Sequence, residues 1–164
     1  MSPAHRRYLI LEQGVGAAIF NFVLNGIIAW LMFRTRDRVP LWGQPSIAGD
    51  TIGTSLLLPL ITTLIVTPVA RRQVRAGRFA SLGWTRATHP TLGWLPQHTV
   101  ARAFVLGLVS MTALSPLTLL VLALLHVAHL DLWSFIVFKA GFAAAEALLV
   151  TPLIALWAIA EAPA

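Results

Sequence analysis

Apolar residues follow one another almost without break in four stretches of this chain, 8–33, 51–70, 101–125 and 133–158. Each is close to or above the roughly 20 residues a helix needs to cross about 30 Å of hydrocarbon. The pattern therefore predicts four transmembrane helices at about those positions, in an all-α integral membrane four-helix bundle. Four spans leave no room for a separate soluble domain, so 1–164 reads as a single transmembrane domain. The first stretch follows Arg6 and Arg7 but is too long for the apolar core of a signal peptide, and it is expected to be a retained helix.

Polar residues inside the apolar stretches are the informative exceptions. Lys139 and Glu146 interrupt the fourth, seven residues apart and so on one stripe of a helix, about 10 Å from each other. A charge at the middle of a membrane helix costs roughly 2.5–3.5 kcal/mol on insertion scales, so it is either compensated or used. With the centre of each stretch at the bilayer midplane, Asn21, Pro59, Ser115, Pro116 and Glu146 fall at a common depth, with Thr62, Ser110 and Thr118 on neighbouring turns. Asn21 and Asn25 share a helix face with Gly14 and Ala18, and either amide is placed to donate to Glu146 across the bundle. Lys139, nearer the helix end, is expected to snorkel toward water or toward Asp50 or Asp131. Glu12 and Arg102 enter their helices at similar depth, and an ion pair between the first and third helices is the corresponding expectation.

Composition confirms the class. Apolar residues make up 57% of the chain and charged residues 11%, with a mean hydropathy of +0.78, outside the range of soluble domains. The net charge of +6 would suggest nucleic acid in a soluble protein, but here the charges sit mostly between helices and no nucleic-acid partner is expected. Arg6, Arg7, Arg71, Arg72, Arg75, Arg78 and Arg86 would lie on one side of the membrane, and Arg34, Arg36 and Arg38 on the other. That asymmetry places both termini in the cytoplasm, most naturally at a plasma membrane of the bacterial inner-membrane type, and makes 71–99 a cytoplasmic basic loop. Arg71, Arg72, Arg75 and Arg78 then face anionic lipid headgroups. Trp30, Trp42 and Trp133 mark one interface and Trp84, Trp94 and Trp157 the other, as amphipathic rings do.

Two short matches suggest tandem helical hairpins in a parallel repeat. Leu41-Trp42 and Leu132-Trp133 precede the second and fourth helices, and Val66-Thr67-Pro68 and Val150-Thr151-Pro152 fall where those helices close. In the basic loop, Leu82-Gly83-Trp84 recurs as Leu92-Gly93-Trp94 around His89-Pro90.

Chemistry-bearing motifs are few. The chain has no cysteine, which removes disulfides and thiolate metal sites, and it carries no phosphate-binding glycine loop, dinucleotide fingerprint, His-Glu-x-x-His or nucleophile elbow. No catalytic residues and no cofactor are assigned, and an enzyme is the less favoured class. His126, His129 and Asp131 have a metal-like His-x-x-His spacing, but with no fourth ligand they are minor candidates and no metal is expected. Two functions remain. One is a small transport or permeation protein, homo-oligomeric because four helices enclose little volume, with Glu146, Asn21 and Asn25 forming a midplane site for a proton or cation. The other is a non-catalytic accessory or structural subunit that packs against another membrane protein, its buried polar groups serving helix association.

Overall fold

In the computed structural model, residues 2–78, 80, 82, 84 and 94–162 are described here. Arg86, His89 and most of the repeated Leu-Gly-Trp segment lie outside them. Four helices carry the fold: α1 Pro3–Phe33, α2 Ile47–Arg75, α3 Thr99–Leu124 and α4 Leu132–Ala160. All four are long and apolar enough to cross a membrane. Their outward faces carry Phe20, Leu31, Leu124, Val137 and Leu149, all exposed, a surface that water would disfavour and lipid accepts. The chain is an integral membrane protein.

Every helix is longer than the apolar pattern implied at one end at least, except that α3 stops one residue short. Polar caps account for much of this, because hydropathy does not register them. The Ser2 hydroxyl accepts from the backbone of His5, the Ser46 hydroxyl from Gly49, and the Asp131 carboxylate from Ser134, each satisfying a backbone donor that the first helical turn leaves open. Pro68 and Pro152 do not close their helices: α2 continues to Arg75 and α4 to Ala160. Residues 8–16 of α1 form a π-helical segment that includes Glu12.

At one end of the bundle, β1 (Arg38–Pro40) pairs antiparallel with β2 (His129–Asp131), with Val39 opposite Leu130. This will be called the strand end; the other, with Arg71, Arg78 and Arg102, is the arginine-rich end. Phe33, Val39, Ile47, Leu122 and Phe135 form a buried cluster under the ladder, and Phe33 and Phe135 meet with ring centroids 4.6 Å apart.

Helix packing is interlocked. The first helix of each hairpin packs on the second helix of the other, α1 on α4 and α3 on α2, while α2 and α4 pack together at the centre. Exchanging the two hairpins leaves this pattern unchanged. It also places Thr67-Pro68 and Thr151-Pro152 at similar heights, each about 20 residues into a 29-residue helix. Small residues permit the close contacts, as membrane helices without a hydrophobic driving force require. A Cβ on Gly14 would meet Leu148 and Pro152 of α4 at 3.5 Å, and one on Gly107 would meet the Leu56 carbonyl oxygen of α2 at 2.7 Å.

Candidate functional site: a buried carboxyl at mid-depth

Glu146 projects from the middle of α4 into the bundle and is 1% exposed. Its neighbours on that face are Ala143 and Ala147, fully buried and packed with Leu58 of α2. The Ser110 hydroxyl of α3 donates to Oε1 at 2.5 Å, whereas Oε2 is buried and has no hydrogen-bond partner among the described residues. Glu146 also makes no ion pair among them. The nearest charge on its own helix, Lys139, is about 10 Å away by helical rise and is already paired. An acid at this depth with no counter-charge among the described residues and one oxygen unsatisfied is an expensive arrangement.

The asparagines do not complete this site. Asn21 Nδ2 donates to the Ala17 carbonyl at 2.9 Å, and Asn25 Nδ2 to the Asn21 carbonyl at 3.1 Å. Both amides thus return to their own helix, and both residues line a different feature, a groove of about 680 Å³ between α1 and α2. The groove exists because α1 packs on α4 rather than on its hairpin partner. It runs from Glu12 and Gln13 to Met32, with Thr54, Asp50, Lys139 and Thr151 among its lining. The expected bond from an asparagine to Glu146 is replaced by the one from Ser110, which was expected on a turn next to that depth.

Lys139 does not snorkel to water. It is 4% exposed and forms an ion pair with Asp50 of α2, one of the two carboxylates in its reach. A four-carbon stem covers the distance between neighbouring helices, and the pair ties α4 to α2 near the strand end. Asp131 instead caps α4: the Ser134 hydroxyl donates to it at 2.6 Å and the Ser134 backbone N–H at 3.0 Å. Those bonds hold its carboxyl below the usual carboxylate range.

The expected Glu12–Arg102 pair is also replaced, because α1 and α3 are not among the closely packed helix pairs. Glu12 accepts from Arg78 at 2.5 Å, both side chains being partly exposed, and the Arg78 guanidinium lies over the Tyr8 ring. Arg102 is 2% exposed. Its Nη2 donates to both oxygens of Glu161 at 2.8 and 2.7 Å, and its Nε to the Pro96 carbonyl at 3.1 Å. Arg71 reaches the same carboxylate at 3.4 Å. Glu161 escaped the sequence argument because it lies just beyond the apolar stretch; its signal was a carboxylate at the end of α4, level with an arginine one turn into α3.

His126, His129 and Asp131 do not converge. The helical spacing assumed for them is absent: His126 adopts a positive φ of 55° after α3, and His129 lies in β2 opposite Pro40. No group of three His, Cys, Asp or Glu suited to a metal occurs among the described residues.

Other buried hydroxyls stand out by what they do not do. Thr51, Thr63 and Thr112 donate to the carbonyl four residues back, which is how an apolar helix usually satisfies a hydroxyl. Ser55 and Thr67 of α2, Ser115 of α3 and Thr151 of α4 are buried and have no hydrogen-bond partner among the described residues. No protein-family model, curated protein or solved structure matches this chain.

Proposed function

We propose that this chain is a small transport or permeation protein in which Glu146 is a mid-depth carboxyl site for a proton or cation. The observation that carries the proposal is the Glu146 side chain itself, buried at mid-depth, held through one oxygen by Ser110 and unsatisfied at the other. A purely structural carboxyl at this depth would be expected to have both oxygens engaged, since each unmet polar group in hydrocarbon destabilises the fold. The arginine distribution supports an orientation with both termini in the cytoplasm. In that orientation Arg72 and Arg75, exposed at the end of α2, meet the headgroup layer, which at the inner face is anionic.

The test is reconstitution into lipid vesicles and measurement of proton and cation flux for the wild type and for Glu146→Gln. Flux that is lost in the variant while the fold is retained supports the site. A second reading, the accessory subunit, is favoured by one observation. The groove between α1 and α2 extends over most of the membrane depth beside two helices of one hairpin, a place where a partner helix would pack. Stoichiometric copurification of another membrane protein, together with no flux in either variant, supports that reading.

A further inference from the structure

We infer that the ligand of Glu146 is a proton and that metal cations are not accepted there; this rests on the transport reading and narrows it. A calcium ion takes six to eight oxygen ligands and a magnesium ion needs an octahedral set. Among the described residues Glu146 has one hydrogen-bond partner, the Ser110 hydroxyl, and it is set among Ala143, Ala147 and Leu58. The neutral amides best suited to add ligands, Asn21 and Asn25, are turned to their own helix. A proton needs one acceptor, and the unpartnered Oε2 is one.

Helices α2 and α4 run in the same direction and are tied by the Lys139–Asp50 pair. By helical rise, Glu146 lies about 10 Å and Thr151 about 18 Å beyond Lys139 along α4, and Ser55 about 8 Å and Thr67 about 25 Å beyond Asp50 along α2. Ser115, on α3, lies on the strand-end side of Ser110. The four unpartnered hydroxyls therefore flank Glu146 on both sides, on three helices and all buried. A hydroxyl accepts and donates at once, so it passes a proton on while remaining neutral, and a few scattered hydroxyls are too few to replace the hydration shell of a metal cation. Intervals of several ångströms between levels call for a bridging water in each step. In the transfer, a hydronium ion on one side gives its proton to Oε2, forming an O–H bond and leaving water. A water on the other side then takes the proton and restores the carboxylate. The ion pairs Lys139–Asp50 and Arg102–Glu161 stand at the two ends of this seam.

The test uses the full chain in vesicles, with a pH-sensitive dye in one set and radioactive sodium or rubidium in another. Wild type is expected to dissipate a pH gradient at least tenfold faster than Glu146→Gln, with Glu146→Asp recovering part of the rate. Sodium and rubidium uptake should equal that of protein-free vesicles. Glu146-dependent uptake of either cation overturns the inference and leaves the transport reading intact; absence of any Glu146-dependent flux removes the transport reading instead. A second readout needs no flux: the protonated-carboxyl infrared band that disappears in Glu146→Gln. That band should be unchanged when sodium or potassium replaces choline, and its conversion to a carboxylate band by either metal overturns the inference.

Discussion

Replacing Gly107 by alanine tests the packing that positions Ser110 one turn further along α3. A Cβ at this position would lie 2.7 Å from the Leu56 carbonyl oxygen and 3.2 Å from Leu56 Cδ1. Ordinary contact starts near 3.4 Å, so α2 and α3 would have to separate by about 0.7 Å. Overpacking of this kind costs about 1–3 kcal/mol. Alanine by itself favours helix over glycine by about 1 kcal/mol, so the informative quantity is the difference from a glycine with open surroundings. Gly53→Ala and Gly141→Ala provide it, because nothing lies within 4 Å of their Cβ positions. Reversible unfolding in mixed micelles should place Gly107→Ala below both controls by about 1–3 kcal/mol. Leu56→Ala in the same chain should recover little, since the closer contact is with backbone. Equal stability of all three alanine variants, or full rescue by Leu56→Ala, would refute the proposed helix contact.

The ion pairs give graded expectations. Glu161→Gln strands the buried Arg102 guanidinium and should destabilise by about 3–5 kcal/mol, whereas Glu12→Gln, which breaks the partly exposed pair with Arg78, should change stability by about 0–1 kcal/mol; micellar unfolding checks both. Asp50→Asn and Lys139→Gln should each reduce stability more than the double apolar variant Asp50→Leu with Lys139→Met, because one partner alone leaves an uncompensated charge. A double variant as unstable as the sum of the singles would contradict this. Asp131 gives a pH expectation at the strand end. Its folded carboxyl is lowered from 3.8, so its contribution is complete above that value and is lost as pH falls through the lower folded one. Carboxyl carbon chemical shifts should show this titration below 3.8, and the acid loss of stability should shrink in Asp131→Asn, whose amide still caps but does not titrate.

The number and approximate positions of the helices were legible because a bilayer demands long apolar runs and leaves little choice of structure. Their ends were less so, since Ser2, Ser46 and Asp131 extend helices by hydrogen bonds that hydropathy does not see. Depth was only partly legible: the hydroxyl that meets Glu146 belongs to Ser110, expected on a neighbouring turn, and not to Ser115, expected at its own depth. Azimuth was not. Asn21 has the depth of Glu146 but faces the groove between α1 and α2, and Glu12 has the depth of Arg102 but sits on a helix that packs elsewhere. Height follows from 1.5 Å per residue, while facing depends on which helices adjoin, and the interlocked order of α1 on α4 and α3 on α2 is a tertiary fact. The same limit hid Ser55, Thr67 and Thr151, whose interest lies in bonds they fail to make.

Proton flux through vesicles containing wild type or Glu146→Gln, with both proteins shown to retain the same helix content and thermal transition, bears most directly on the account. A rate that falls at least tenfold in Glu146→Gln and partly recovers in Glu146→Asp is the expected result. Equal rates in wild type and Glu146→Gln, with the fold intact in both, would contradict the assignment of Glu146 as the working carboxyl.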